Sequence, residues 1–373
     1  MRDLMFKGIA LIILLVLVND CSNDQNITGH DSNYDERIEV ILNDIPFQTE
    51  KYLRIPYSLK MWEYEKENLV LEQIMILDNE NVELMIINKE DFPTIYKNPL
   101  DPNPYLTQDE ISSYYISIQL PIPLAGDRPE EIYHRLTLRD SLLNEDLIIE
   151  GAPFIPRYNE SPLVIASPVK GSNWVFVNQS TMGYHFYVLF FVGGEIFKGE
   201  RFAFDNLQLN DDFMSWYNGD PKDNNSYFNY TDTLYAVADG VVKTITDGRP
   251  ENNGDAQDII FNSLDEYCGN YMIIDIGGGL YAFYVHCVPY KFMVSVGDTV
   301  QEGDKLALLG NSGNSTAPHL HFHIADSPEL LLSNCVPFVF KSFTVIGEFG
   351  TGPVSPVQIT NSMMEENTVV SFE

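Results

Sequence analysis

Basic residues are scarce in this chain. Its 373 residues carry 22 Lys and Arg against 54 Asp and Glu, a formal net charge of -32. Binding a phosphate backbone needs concentrated Lys and Arg, so this balance excludes nucleic acid as a partner and reads as solubility. Cysteine is scarce too, with 4 in all. None has the paired spacing of a structural zinc ribbon. With Cys21 set aside, Cys268, Cys287 and Cys335 are an odd number, which argues against a full disulfide framework. Cys268 and Cys287 flank an expected hairpin, where they either bridge or stay as two buried thiols. Long helical periodicity is also missing: no helix of normal length is evident after Asp205. The stretch Gly310 to Thr316 has no following Lys and no helix, so it is a turn and not a phosphate cradle.

What is present is apolar and β-forming. At 45% hydrophobic and 12% aromatic content, the chain can fill two packed cores. Residues 38–166 read as short apolar strands separated by turn residues. Leu69 to Leu77 and Val82 to Ile87 form a hairpin around Asp78-Asn79-Glu80-Asn81, and Tyr114 to Leu120, Leu136 to Leu138 and Leu147 to Glu150 add strands. This predicts a β-sandwich-like accessory domain, with Pro121 and Pro123 at its edges because proline removes a ladder donor. It contains no catalytic constellation, and His134 reads as a structural histidine. Asp91 to Pro104 reads as a loop. Residues 167–346 read as a second β unit and residues 347–373 as a C-terminal tail. Between Leu207 and Thr233 the composition turns to Asn, Asp, Gly and Tyr, which predicts a long loop beside a site. Its Trp216, Tyr217, Tyr227 and Tyr230 either pack on substrate or plug the loop.

The chemistry concentrates in Pro318-His319-Leu320-His321-Phe322-His323, since three of the 7 His fall there. On a strand, alternate side chains point the same way, so His319, His321 and His323 share one face while Leu320 and Phe322 anchor the other in the core. Imidazoles two residues apart on one face can divide the work of a hydrolytic metal site, one binding the ion and the next handling protons. Upstream lie Ala236 to Val242, the strand pair Asn270 to Ile276 and Leu280 to His286 joined by Gly277-Gly278-Gly279, and the turns Val296 to Asp304 and Gly310 to Thr316.

In this order of motifs, from about Pro168 to Ile346, the chain resembles the lysostaphin-like zinc endopeptidases of peptidoglycan, metallopeptidase family twenty-three. The resemblance implies an all-β fold of the duplicated hybrid motif type, a zinc cofactor, peptidoglycan peptides as substrate, Asp205 and His321 as metal ligands, and His286 and His319 as the catalytic pair. One position departs from the family. Where its first zinc-binding His is expected, this chain reads Arg201-Phe202-Ala203-Phe204-Asp205, and a guanidinium has no lone pair to offer. Held about 4 Å from a divalent ion it would be repelled by about 8 kcal/mol at an effective dielectric of roughly 20. Either another residue substitutes, with His185 and His323 as candidates, or Arg201 pairs with Asp205 in a site without metal. The first case is a metalloendopeptidase. The second is a catalytically degenerate wall-binding or amidase-regulating protein. Pro168-Val169-Lys170-Gly171-Ser172-Asn173-Trp174 ahead of the Arg-Phe-Ala-Phe-Asp run resembles a recurrent variant subgroup.

Residues 1–21 read as an export signal, with Arg2 and Lys7 before an apolar run from Gly8 to Val18 that is short for a membrane span. Cys21 resembles a bacterial lipoprotein acceptor, although Asn19 and Asp20 stand where small residues are expected. Residues 22–37 read as a linker. The expected location is the cell envelope of a bacterium, on the membrane through a lipid anchor.

Overall fold

A computed structural model describes residues 34–62, 64–91, 96–97, 113–179, 181, 183–192, 195–255 and 263–373. The expected export signal, Cys21, most of the linker and most of the Pro-rich loop lie outside the described residues. Two compact units form. One takes the described residues up to 162 together with 189–197, and the other takes 163–188 and 198–373.

The first unit is built from β1 (Ile38–Asn43), β2 (Phe47–Gln48), β3 (Tyr52–Trp62), β4 (Leu69–Asp78), β5 (Glu83–Asn88), β6 (Tyr96–Lys97), β7 (Ser113–Pro123), β8 (Ile132–Asp140) and β9 (Asp146–Phe154). One sheet runs β1-β3-β7-β6 with β2 beside β3, and the other runs β5-β4-β8-β9. Their inward residues form one core: Ile55, Tyr57, Leu59 and Met61 from β3, and Ile116, Ile118, Leu120 and Ile122 from β7 meet Ile74, Ile76, Leu136 and Leu138. The period of two is plain along β3 and β7. In β4 a register shift between Leu71 and Gln73 moves the buried set from Leu69 and Leu71 to Ile74 and Ile76, as an inserted bulge residue does.

His134 sits in this core, fully buried. Its Nδ1 lies 3.2 Å from the Ala152 carbonyl and its Nε2 lies 2.9 Å from the Tyr57 hydroxyl. A carbonyl only accepts, so Nδ1 carries the proton and Nε2 accepts from Tyr57. Burial pushes the imidazole pKa down to about 4. The unfolded chain binds a proton on this residue near pH 6.5. The folded unit refuses that proton until pH 4, so its stability is full above 6.5 and falls as the pH drops between the two values. A loss of about 3 kcal/mol over that window is expected. Denaturant midpoints of the accessory unit at pH 7 and pH 4.5 check this, and a flat profile would contradict it.

The second unit contains β10 (Leu163–Ile165), β11 (Gly171–Val177), β14 (Phe204–Gln208), β15 (Thr233–Tyr235), β16 (Gly240–Thr246), β17 (Tyr271–Gly277), β18 (Leu280–Val285), β19 (Thr299–Val300), β20 (Lys305–Leu308), β21 (Leu320–Ala325), β22 (Phe338–Glu348), β23 (Gly352–Ser362) and β24 (Thr368–Phe372); the hairpin β12 (Phe190–Val192) and β13 (Glu195–Phe197) belongs to the first unit. The main sheet runs β10-β22-β24-β11-β14-β21-β18-β17-β16-β19, with β23 against β22. β17 and β18 form the expected hairpin. Gly277 pairs with Leu280, leaving Gly278 and Gly279 as a two-residue turn. Their φ values of 65° and 76° are what such a turn requires and what side chains resist.

One expectation fails in this unit, and one open alternative is decided. Residues 347–373 are not a tail: β24 lies between β22 and β11, with Val369 and Val370 fully buried. Cys268, Cys287 and Cys335 are buried free thiols, so no bridge joins the first two. The Cys287 thiol donates to the Tyr284 carbonyl instead, and burial holds all three thiols well above their ordinary pKa. Trp216, Phe213 and Leu209 pack with Val175 and Val369, while Tyr227 is 5% exposed and stacks near Tyr217. Tyr227 thus plugs the loop, while Trp216, Tyr217 and Tyr230 are half-buried.

Candidate metal and catalytic centre

The centre stands on three neighbouring strands. β21 lies between β14 and β18 in the sheet, and in register Asp205 is opposite His321, which is opposite Val285. Directly opposed residues project to the same face, which brings the Asp205 carboxylate to the His321 ring. The other face of β21 is core: Leu320, Phe322 and Ile324 are fully buried, and Phe322 stacks on Phe204 with ring centroids 5.3 Å apart. Burying such side chains contributes about 1.5–3 kcal/mol each and holds the polar face in place.

His286 arrives differently. Alternation from Val285 would send it to the opposite face, but its φ is 69°, a conformation costing about 1–2 kcal/mol for a residue with a Cβ. That twist turns the ring to within 4.8 Å of His319 and 6.0 Å of His321, centroid to centroid. Nδ1 lies 2.7 Å from the Ser312 carbonyl. His319 likewise places Nδ1 2.8 Å from the Ala317 carbonyl. Both carbonyls must accept, so both rings hold their proton on Nδ1 and leave Nε2 as the nitrogen open to chemistry. The Nε2 of His319 is 3.4 Å from Asp205 Oδ1.

His185 comes from outside the sheet. It lies in a single 3-10 turn, Tyr184–Tyr187, and its ring stands edge-on to His321 at 4.7 Å. Its Nε2 is 3.8 Å from Asp205 Oδ2, and its buried Nδ1 has no hydrogen-bond partner among the described residues. Ligand atoms of His185, Asp205 and His321 all lie within 4.8 Å of one another. Of the two candidates for a third ligand, the structure therefore places His185 in the cluster. His323 stands behind it: its Nδ1 is 3.2 Å from His321 Nε2, and its ring stacks on Phe283 at 4.3 Å.

This donor set fits a divalent cation. If His321 donates its Nε2 proton to His323, its Nδ1 is a bare lone pair facing the Asp205 carboxylate at 3.1 Å. Two acceptors at that separation repel unless a cation serves both, and two imidazoles with one carboxylate are a common zinc donor set. A ligand imidazole whose other nitrogen is anchored by a neighbour is the usual support for such sites. The electrostatics agree. Burial alone would raise the Asp205 carboxyl, but the His185 and His319 charges and the hydrogen bond from His319 hold it well below the usual carboxylate range. Burial lowers His185 and His286, in both cases with help from neighbouring imidazoles, so both rings favour the neutral form that can donate a lone pair. Burial also opposes charge on His319, yet the Asp205 carboxylate overcomes it and raises the pKa.

Arg201 is not in the cluster. Asp205 accepts from Asn178 Nδ2 at 2.7 Å and meets the three histidines. The fully buried Arg201 guanidinium instead lies 4.2 Å over the Phe186 ring. The alternative of a salt bridge from Arg201 to Asp205 therefore does not hold. A bent chain was required for that bridge, and Phe204 and Asp205 are already extended in β14.

Three residues that shape the centre went unnoticed in the sequence. Asn178, with φ of 54°, follows β11 and turns its amide onto Asp205. The fully buried Asn229 donates to the Pro318 carbonyl at 2.9 Å and so fixes the approach to His319. Glu366 lies near Asn178 and Asp205, where burial pushes its carboxyl up to about 7 with the Asp205 charge adding and the Asn178 N–H opposing. No short-range pattern marks them; only the asparagine preference for left-handed backbone hints at Asn178.

The family model of Peptidase family M23 matches residues 227–330, a stretch holding His286, His319, His321 and His323 but neither His185 nor Asp205. Over 66 residues the chain is 38% identical to peptidoglycan DD-endopeptidase ShyA of Vibrio cholerae, covering 18% of this chain and 15% of that protein. It is 43% identical over 58 residues to an uncharacterized metalloprotease of Haemophilus influenzae, covering 15% of this chain and 12% of that one. The chain thus spans only a small part of the curated relatives it matches. A putative peptidase M23 from Pseudomonas aeruginosa is a structural neighbour at 14% identity and a TM-score of 0.25, covering 72% of this chain and 89% of that one. Over residues 227–330, which hold His286, His319, His321 and His323, this chain is similar to Peptidase family M23.

Proposed function

We propose that this protein is a zinc-dependent endopeptidase that cuts peptide bonds in bacterial peptidoglycan and works in the cell envelope. The observation that carries this reading is the convergence of His185, Asp205 and His321 beside two imidazoles, His286 and His319, whose Nδ1 atoms are held by backbone carbonyls and leave Nε2 for chemistry. The family match and the relatives named as a peptidoglycan endopeptidase and a metalloprotease support the substrate class and the metal.

His185, Asp205 and His321 would hold the ion. When bound, zinc supplies a Lewis acid that polarises a carbonyl and acidifies water. The residues of this chain do the rest. One of His286 and His319, neutral, accepts the proton of the attacking water through Nε2, and the other, carrying a second proton on Nε2, donates it in a hydrogen bond to the oxyanion that develops, a contact worth about 3 kcal/mol. Their Nδ1 protons stay on the rings, donated to the Ser312 and Ala317 carbonyls throughout, so neither ring needs to turn between steps. The rival reading of a metal-free wall-binding protein drew its support from Arg201, and Arg201 occupies Phe186 instead.

Elemental analysis of the purified protein should find zinc in stoichiometric amount, and intact peptidoglycan should release new peptide amino termini. His286→Ala should keep the zinc and lose at least about a hundredfold in rate, the scale of a positioned general base or acid. Zinc-loaded protein that leaves peptidoglycan peptides intact would refute the assignment. Export and acylation at Cys21 belong to the same proposal, supported by Arg2, Lys7 and the apolar run before the cysteine. Mass spectrometry of membrane-extracted protein decides it, an unmodified amino terminus being the contrary result.

A further inference from the structure

Arg201 is a fully buried charge next to the centre that the proposed chemistry does not use. Its Nη1 lies 3.4 Å from the Phe186 carbonyl, and its guanidinium carbon is 4.2 Å over the Phe186 ring. Phe186, also fully buried, is the residue after His185 in the turn Tyr184–Tyr187. That turn has little regular structure to define it. The Val188 N–H donates to the His185 carbonyl at 3.1 Å, and the Gly183 N–H donates to the Gln179 carbonyl at 2.7 Å. A Cβ on Gly183 would fall 1.9 Å from the Asn178 carbonyl carbon, so the turn presses directly on the segment that also sends Asn178 to Asp205. A single short turn off the sheet is loop backbone of the kind that opens readily, so its position depends on what its side chains pack against.

We propose that Arg201 is a positioning residue for His185. Its planar guanidinium grips Phe186 by ring and carbonyl together and thereby holds the His185 imidazole at the distance from Asp205 and His321 that one ion needs. The arginine supports the ligand from behind and leaves the ligand position to a histidine from another segment. A flat, delocalised cation is suited to this because it stacks and donates in its own plane at once, whereas a lysine ammonium is a point charge on a flexible stem. The inference rests on the metal reading above.

The test uses the full chain and cobalt(II) alone as probe, read by affinity and by the visible absorption that reports coordination geometry. Wild-type protein should bind cobalt tightly. Arg201→Met and Arg201→Lys should both bind about tenfold to a hundredfold more weakly, the usual cost of losing a residue that orients a ligand, with an altered absorption band. Phe186→Leu keeps the core volume and removes the stacking face, so it guards against an arginine variant that does not fold, and it too should weaken binding. Melting of the β signal should change little in Phe186→Leu. Wild-type affinity and spectrum in Arg201→Lys and Phe186→Leu, with wild-type protein binding cobalt, would overturn the role of Arg201 and leave the metal site intact. Wild-type protein that binds no cobalt would overturn both.

Discussion

His185→Ala should cost the protein its stoichiometric zinc. An ion held by three protein groups loses one of them, and a full zinc site is worth about 10–16 kcal/mol shared over its ligands. Removing one donor of three therefore costs about 3–5 kcal/mol, or roughly a hundredfold or more in affinity. The orphaned Nδ1 of His185 and its place within 4.8 Å of the other two donors are the reasons to expect so large an effect from a residue outside the matched family segment. The fold should survive, because the turn Tyr184–Tyr187 lies off the sheet. Competition with a metal-sensitive chelator on wild-type, His185→Ala and His286→Ala protein measures it. His286→Ala should match wild type, and His185→Ala should not; equal affinities in all three would remove His185 from the site.

Ending the chain at Ile346 should abolish folding of the second unit. The deletion takes away β24, a strand in the interior of the sheet, and with it Met363, Met364, Val369, Val370 and Phe372, all nearly or fully buried. At about 1.5–3 kcal/mol for each such side chain the loss is about 7–15 kcal/mol, as large as the whole stability of a typical domain. It also leaves β11 and β22 without the partner that joins them. Insoluble protein, or soluble protein without a cooperative melt, is the expected result. A truncated chain that melts cooperatively near the wild-type temperature would show that β24 is dispensable.

The centre was legible in the sequence where its geometry is local. Alternation along Leu320–Ala325 placed His321 and His323 on one face, and the triple glycine placed the hairpin that ends at His286. Pairing Asp205 with His321 came from the family resemblance, and the strand register agrees with it. What escaped depends on contacts distant in sequence. β24 is a five-residue strand whose partner β11 begins almost two hundred residues earlier, so its short apolar run looked like the end of a tail. Asn178 and Glu366 belong to the centre only because those strands meet. His286 breaks alternation through one left-handed residue, which composition does not reveal. Arg201 was read as a partner for Asp205 because it stands where the family's first ligand His is expected, but its guanidinium lies against Phe186. In the accessory unit the alternating strands and the structural role of His134 were readable because the core repeats every second residue.

Anomalous X-ray scattering above and below the zinc edge, from crystals grown with zinc, tests the central claim most directly. The account predicts one strong peak bounded by His185, Asp205 and His321, with Arg201 still against Phe186. A peak elsewhere, or a centre in which Arg201 reaches Asp205 and no zinc signal is found, would contradict it.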